Sequence, residues 1–192
     1  MAIYGIVGGI GTGKTLTGVS LMLDDLYKNK KIFTNTKLKN YDKKLTPLIT
    51  YLTKDAVVTI FDKVKEGVFD MTNSTVFIQE MHNYLDSRRS MTQKNRVFTY
   101  WILQSRHTGM GSCSIIYDTQ DIGQIDIRLR RNTDFLLRPL ISQWEIIKGV
   151  RTPKTISVMG ETLLGHKMAR FNFIIDCETS REMYNTFEII DF

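Results

Sequence analysis

A chain of 192 residues is long enough for one α/β domain with a substantial core. Its apolar content of 42% and charged content of 24% are those of an ordinary globular protein. No apolar run approaches the roughly 20 residues of a membrane-spanning helix, and no basic segment precedes the apolar N-terminus as in a signal peptide. Cys113 and Cys177 each lie in an apolar stretch, which predicts buried free thiols rather than a disulfide or a metal site. The net charge of +6 favours a polyanionic partner.

The chain begins with a strand, Ala2 to Val7, followed by Gly8-Gly9-Ile10-Gly11-Thr12-Gly13-Lys14-Thr15 and then a helix with apolar residues at Leu16, Val19, Leu23 and Leu26. This is G-x-x-x-x-G-K-[ST] in its required strand–loop–helix setting. Glycines let backbone N–H groups close around phosphate oxygens, and the helix N-terminus adds positive potential. Residues 8 to 16 are therefore expected to hold ATP, with Lys14 on the β/γ-phosphates and Thr15 on Mg²⁺.

A second strand is predicted over 31–35, then a polar loop over 36–47 ending at Pro47, and one helix over 55–65 stopped by Gly67. Val76-Phe77-Ile78-Gln79-Glu80 is a buried strand in the place of a Walker B motif. Glu80 fits the residue that polarises the attacking water, while Gln79 stands where an Asp usually holds Mg²⁺ through water. A neutral amide there brings no charge to the cation. A helix is predicted over 95–107, a strand over 114–117 running into Thr119-Gln120, and a helix starting within 121–131. Gln120 has the position of a polar sensor of the γ-phosphate, or is a loop residue. Arg106, at the end of the helix after Walker B, reads either as an arginine finger reaching a neighbouring subunit or as a cation favoured by the helix C-terminus.

Segments 134–137, 143–149, 155–159 and 169–175 read as strands with short polar breaks. Connections this short exclude crossover helices, so an antiparallel extension of the sheet is expected. One domain results, with a core over about 1–140 and the extension and tail over about 141–192. Two basic stretches stand out: Arg88, Arg89, Lys94, Arg96 and Arg106, then Arg128, Arg130, Arg131 and Arg138. They are either solvated faces or a path for DNA.

Taken in order, the P-loop, Ile78-Gln79-Glu80-Met81-His82, Arg106-His107-x-Gly109, Thr119-Gln120, Asp126-Ile127-Arg128-Leu129-Arg130 and Tyr184-Asn185-Thr186-Phe187-Glu188 resemble the zonular-occludens-toxin-like group of the FtsK/HerA superfamily. The resemblance covers nearly the whole chain. It implies a RecA-like core of strand order 5-1-4-3-2, a homo-oligomeric ring (pentamer or hexamer), and ATP- and Mg²⁺-driven movement of double-stranded DNA. By position, Glu80 would activate water, Gln120 would sense the γ-phosphate, and Arg106, Arg128 or Arg130 would act in trans. The group includes genome-packaging ATPases, which work with capsid or portal components in the host cytoplasm without a membrane. It also includes filamentous-phage export proteins, which carry a transmembrane helix after the ATPase domain. With no such helix in the sequence, packaging is the expectation and export the alternative. A small-molecule kinase and a nucleotide-binding scaffold without turnover are the readings from other classes.

Overall fold

The short runs rich in Val, Ile and Phe form a sheet that is buried on both faces in its parallel half. The computed structural model describes residues 2–85, 113–164 and 167–184. The elements, in chain order, are β1 (Ile3–Val7), α1 (Lys14–Tyr27), β2 (Lys31–Thr34), β3 (Ile49–Tyr51), α2 (Lys54–Val58), α3 (Ile60–Lys65), β4 (Ser74–Ile78), β5 (Ser114–Thr119), α4 (Ile127–Arg131), β6 (Phe135–Ile147), β7 (Val150–Leu164), β8 (Lys167–Asp176) and α5 (Glu178–Met183). The sheet order is β3-β2-β4-β5-β1-β6-β7-β8. Strands β1 to β6 pair in parallel, and the β6–β7 and β7–β8 pairs are antiparallel.

Side chains alternate between the two faces, as strand geometry requires. Ile6, Ile32, Phe77 and Ile116 pack against Leu16, Val19, Met22 and Leu26 of α1. Their neighbours Ile3, Phe33, Val76, Ile78, Ile115 and Tyr117 pack on the other face with Val57, Ile60 and Leu129. The crossover connections that parallel pairing demands place these helices on both faces.

The RecA-like order 5-1-4-3-2 is present across β6-β1-β5-β4-β2, and the sequence reading missed one strand outside it. β3 adds to the edge of β2, with Ile32 opposite Ile49. Residues 36–47, expected as a loop, lead into a 3-10 turn at Lys43–Leu48. The helix expected over 55–65 is divided at Thr59, whose hydroxyl donates to the Asp55 carbonyl at 2.8 Å in competition with the helical ladder. The segment 121–131 is likewise divided by two aspartate caps. Asp121 accepts from the Gly123 N–H at 2.8 Å, and Asp126 accepts from the Arg128 N–H at 2.9 Å. The strands expected at 134–137 and 143–149 are one strand, β6, with register shifts between Ile141 and Trp144. It belongs to the core at Phe135–Leu137, beside β1, and to the extension beyond. The division expected near residue 140 thus falls inside a strand. The helix expected over 95–107 lies outside the described residues.

Candidate functional site

β1 sits centrally, between β5 and β6, with β4 beyond β5. The loop after β1 therefore meets the ends of β5 and β4 at the C-terminal edge of the sheet, where open α/β folds bind ligands. The Gly8 N–H donates to the Thr119 carbonyl at 3.4 Å and ties the loop to β5. Gly11 and Gly13 have φ of 76° and 94°, a conformation that side chains resist. A Cβ on Gly13 would also lie 2.7 Å from Ile156 Cδ1 of β7. Gly9, Ile10 and Gly11 are exposed at the crest, while the Leu16 side chain is in the core and can offer a ligand only its backbone.

Lys14 is buried, and its ammonium donates to the Gly9 carbonyl at 3.0 Å. The Thr12 hydroxyl donates to the same carbonyl at 3.0 Å. Thr15, the second residue of α1, donates its hydroxyl to Oδ2 of Asp118 at 3.3 Å. Asp118 is fully buried on β5, and burial pushes its carboxyl up to about 7. The N–H of Glu80 at 2.6 Å, together with the nearby Lys14 and the Thr15 hydroxyl, draws it back down.

Gln79 and Glu80 follow β4. The Gln79 backbone is clamped by Asn35 at the end of β2, whose side chain accepts from the Gln79 N–H at 2.8 Å and donates to its carbonyl at 3.0 Å. The Gln79 side chain turns towards Thr15, with Nε2 3.4 Å from the Thr15 hydroxyl, while Oε1 accepts from Thr36 at 3.3 Å. Tyr184, from the tail motif, brings its hydroxyl to 3.5 Å from the same Nε2. Glu80 has φ 54° and ψ 50°, a left-handed backbone in a non-glycine residue. Its carboxylate lies 3.3 Å from Nε2 of His82, whose Nδ1 lies 3.3 Å from the Thr119 hydroxyl. A cleft of about 680 Å³ opens beside Gln79 and Glu80, lined also by Asn35, Lys37, Tyr51 and Tyr84.

The structure thus brings together Lys14, Thr15, Gln79 and Glu80, with exposed Gln120 just past β5. Asp118, Asn35, Thr36 and His82 join them and were not singled out from the sequence. Of the arginines, Arg128 forms a two-pronged pair with buried Asp126, at 3.0 and 2.9 Å, beside the α4 cap. Arg130 lines a small cavity with Thr133, Asp134 and Glu161. Arg106, with Arg88, Arg89, Lys94 and Arg96, lies outside the described residues. Both cysteines are free and buried, as expected.

A glycine loop over a helix N-terminus, at the central strand of a 5-1-4-3-2 sheet, defines the fold of a RecA-like P-loop NTPase. The chain belongs to the zonular occludens toxin (Zot) family, whose model matches residues 2–136. Among solved structures, it is similar to the N-terminal domain of zonular occludens toxin from Neisseria meningitidis. That match has 20% identity and a TM-score of 0.66, covering 96% of this chain and 98% of that one. It is also similar to the genome packaging NTPase B204 from Sulfolobus turreted icosahedral virus 2 in complex with ATPγS, at 9% identity and TM-score 0.55, covering 88% and 95%. A third similar fold is the pCW3 conjugation coupling protein TcpA with ATPγS, at 10% identity and TM-score 0.54, covering 88% of this chain and 59% of that one. No match was found among curated proteins. Among the described residues, no helix is long and apolar enough to cross a membrane.

Proposed function

We propose that this protein is a Mg²⁺-dependent ATPase that moves double-stranded DNA during virus assembly, with genome packaging as its task. The observation that carries the reading is the convergence of the Lys14 ammonium, the Thr15 hydroxyl and the Glu80 carboxylate at one edge of the sheet. The residues fit a magnesium nucleotide. The loop offers backbone N–H groups at a helix N-terminus, and a buried carboxylate backs the hydroxyl that would hold the metal. Mg²⁺ bound there would neutralise charge on the β- and γ-phosphates. Lys14 would exchange the neutral Gly9 carbonyl for phosphate oxygens and so gain a charged partner while remaining buried. Glu80 would take the proton of the attacking water, its carboxylate anchored by His82. Gln120, exposed past β5, would orient that water. In a ring, Arg106, Arg128 or Arg130 would complete the neighbour's site. Arg128 would first have to leave Asp126.

A net charge of +6 supports a nucleic-acid cargo, as does the likeness to a genome packaging NTPase. Hydrolysis measured with and without duplex DNA tests this. The expected result is stimulation by DNA that falls steeply between about 50 and 200 mM salt, because phosphate neutralisation releases counterions. ATPase activity indifferent to DNA would overturn the translocation reading. A second reading, assembly and export of a filamentous virion, is favoured by the family match over residues 2–136. ATP-dependent uptake of duplex DNA by empty capsids separates the two, since only packaging predicts it.

A further inference from the structure

The strand that usually supplies the metal-facing carboxylate ends here in the amide of Gln79, yet a buried carboxylate stands on the next strand. β4 and β5 pair in parallel with Ile78 opposite Tyr117, so Gln79 and Asp118 occupy the following rung of the two strands. Phe77 and Ile116, two residues earlier on each, belong to the cluster on the α1 side. Alternation therefore turns both Gln79 and Asp118 towards α1 and Thr15. β5 is also the strand beside β1, the strand from which the loop springs.

We propose that Asp118 is the positioning carboxylate of the metal site, and that it performs on β5 the task that Gln79 leaves open on β4. The inference rests on the nucleotide-binding reading given above. Hydroxyl protons are few, and their allocation decides the geometry. Thr15 has one, which it gives to Oδ2 of Asp118. The remaining lone pairs of the hydroxyl can only accept, and the Gln79 amide nitrogen lies 3.4 Å away to donate to one of them. Thr36 donates to the amide oxygen and fixes that orientation. The hydroxyl is thereby held by two neighbours, with its last lone pair left for a cation. The carboxyl group that a Walker B aspartate would place behind the cation is here that of Asp118. The other oxygen of Asp118 accepts from the Glu80 N–H at 2.6 Å. One carboxylate thus orients the metal-binding hydroxyl and anchors the left-handed backbone from which Glu80 projects.

The test is equilibrium binding of a fluorescent ATP analogue to the full chain, titrated in Mg²⁺ and in EDTA. In the wild type, Mg²⁺ is expected to tighten binding. Asp118→Asn is expected to cut that enhancement by about 10- to 100-fold, the usual cost of losing a partner behind a metal ligand. Affinity in EDTA should stay within about twofold, since phosphate contacts in the loop are untouched. A merely structural Asp118 would lower both affinities together. Adding Gln79→Asp to Asp118→Asn should recover part of the Mg²⁺ enhancement, because the carboxylate returns one strand away on the same rung. An Asp118→Asn protein with the wild-type Mg²⁺ enhancement overturns the inference and leaves the ATPase reading standing. A wild type that binds the analogue in neither condition overturns both. Where Asp118→Asn does not melt cooperatively, Gln79→Asp alone decides. Two carboxylates flanking Thr15 should tighten Mg²⁺-dependent binding, and an unchanged Mg²⁺ titration puts the cation elsewhere and sinks the proposal.

Discussion

Where β1, β4 and β5 end, polar side chains are buried: Lys14, Gln79, Asp118 and Thr119 are almost without solvent contact. Along β6, β7 and β8 the reverse holds, and Leu140, Ile146, Met159 and Ile174 stand exposed. One sheet runs through both regions, but the parallel half is covered on two faces and the extension mainly on one. Ile156 and Val158 of β7 are buried beneath α1, while Met159 between β7 neighbours faces outward. Buried polar groups are costly unless each finds a partner, and here the partners are one another. The parallel half thus holds a preorganised polar network. The extension is a scaffold that meets the loop through Ile156 of β7, beside Gly13.

The largest expected effect comes from the network. Lys14→Ala removes the one buried ammonium at the loop, and ATP turnover should fall by about 10²-fold or more, the scale for losing a charge-stabilising donor. The thermal melt should be little changed, because the amine's described partner is only the Gly9 carbonyl. Normal turnover in this variant would remove the loop from the chemistry.

Next is Glu80→Gln. It keeps the shape of the side chain and the backbone N–H held by Asp118, so binding of the ATP analogue should persist while hydrolysis drops by about 10²-fold, the usual scale for a general base. Surviving hydrolysis would move the base to another residue.

Lys14 was legible in the sequence because its motif is contiguous, eight residues carrying strand end, loop and helix start, and Glu80 because it directly follows an apolar strand. Asp118 was not, because its role depends on which strand lies beside β1, and pairing is not written locally. A signal was available all the same, since a carboxylate directly after Ile115-Ile116-Tyr117 on a parallel strand has to be buried with a partner. Asn35 was hidden for the same reason, as it acts on Gln79 across the gap between β2 and β4. β3 escaped because a three-residue edge strand behind Pro47 has too short a period to read. The extension's strands were visible from alternation, but the union of two of them into β6 was not. The break expected between 137 and 143 is continuous ladder as far as Ile141, followed by a shift of register around Gln143 rather than a turn.

Gly160→Ala probes the other region. Gly160 of β7 lies opposite Phe171 of β8, and a Cβ there would come within 2.2 Å of the ring. The ring stacks near Phe173 and meets Phe135 edge-on, so it has little room to swing. Overpacking of this kind costs about 1–3 kcal/mol. Urea denaturation should show that loss, and nucleotide affinity measured well below the midpoint should be unchanged. A parallel loss of affinity would mean that the two regions are coupled.

The smallest effect is expected at the far end of the β6–β7 hairpin. Lys148 and Gly149, at φ 50° and 79°, form a tight turn whose twist suits the flanking strands. Near it the Arg151 guanidinium lies 4.5 Å from the centre of the Trp144 ring, and both residues are exposed. A cation over an exposed ring contributes about 0.5–1 kcal/mol, and the turn residues fix the register whether or not the pair forms. Arg151→Ala should therefore cost less than about 1 kcal/mol, and Arg151→Lys should recover part of it, because the ammonium keeps the charge but not the planar stacking. Turnover without DNA should equal the wild type, since the nearest polar link runs through Glu145 to Arg181 of α5 and not to the loop. DNA-stimulated turnover is the sharper measurement. A drop in stimulation with unchanged basal turnover would show that the hairpin tip touches the cargo. The scaffold would then carry part of the motor's function, and the separation of the two regions would hold for chemistry but not for work.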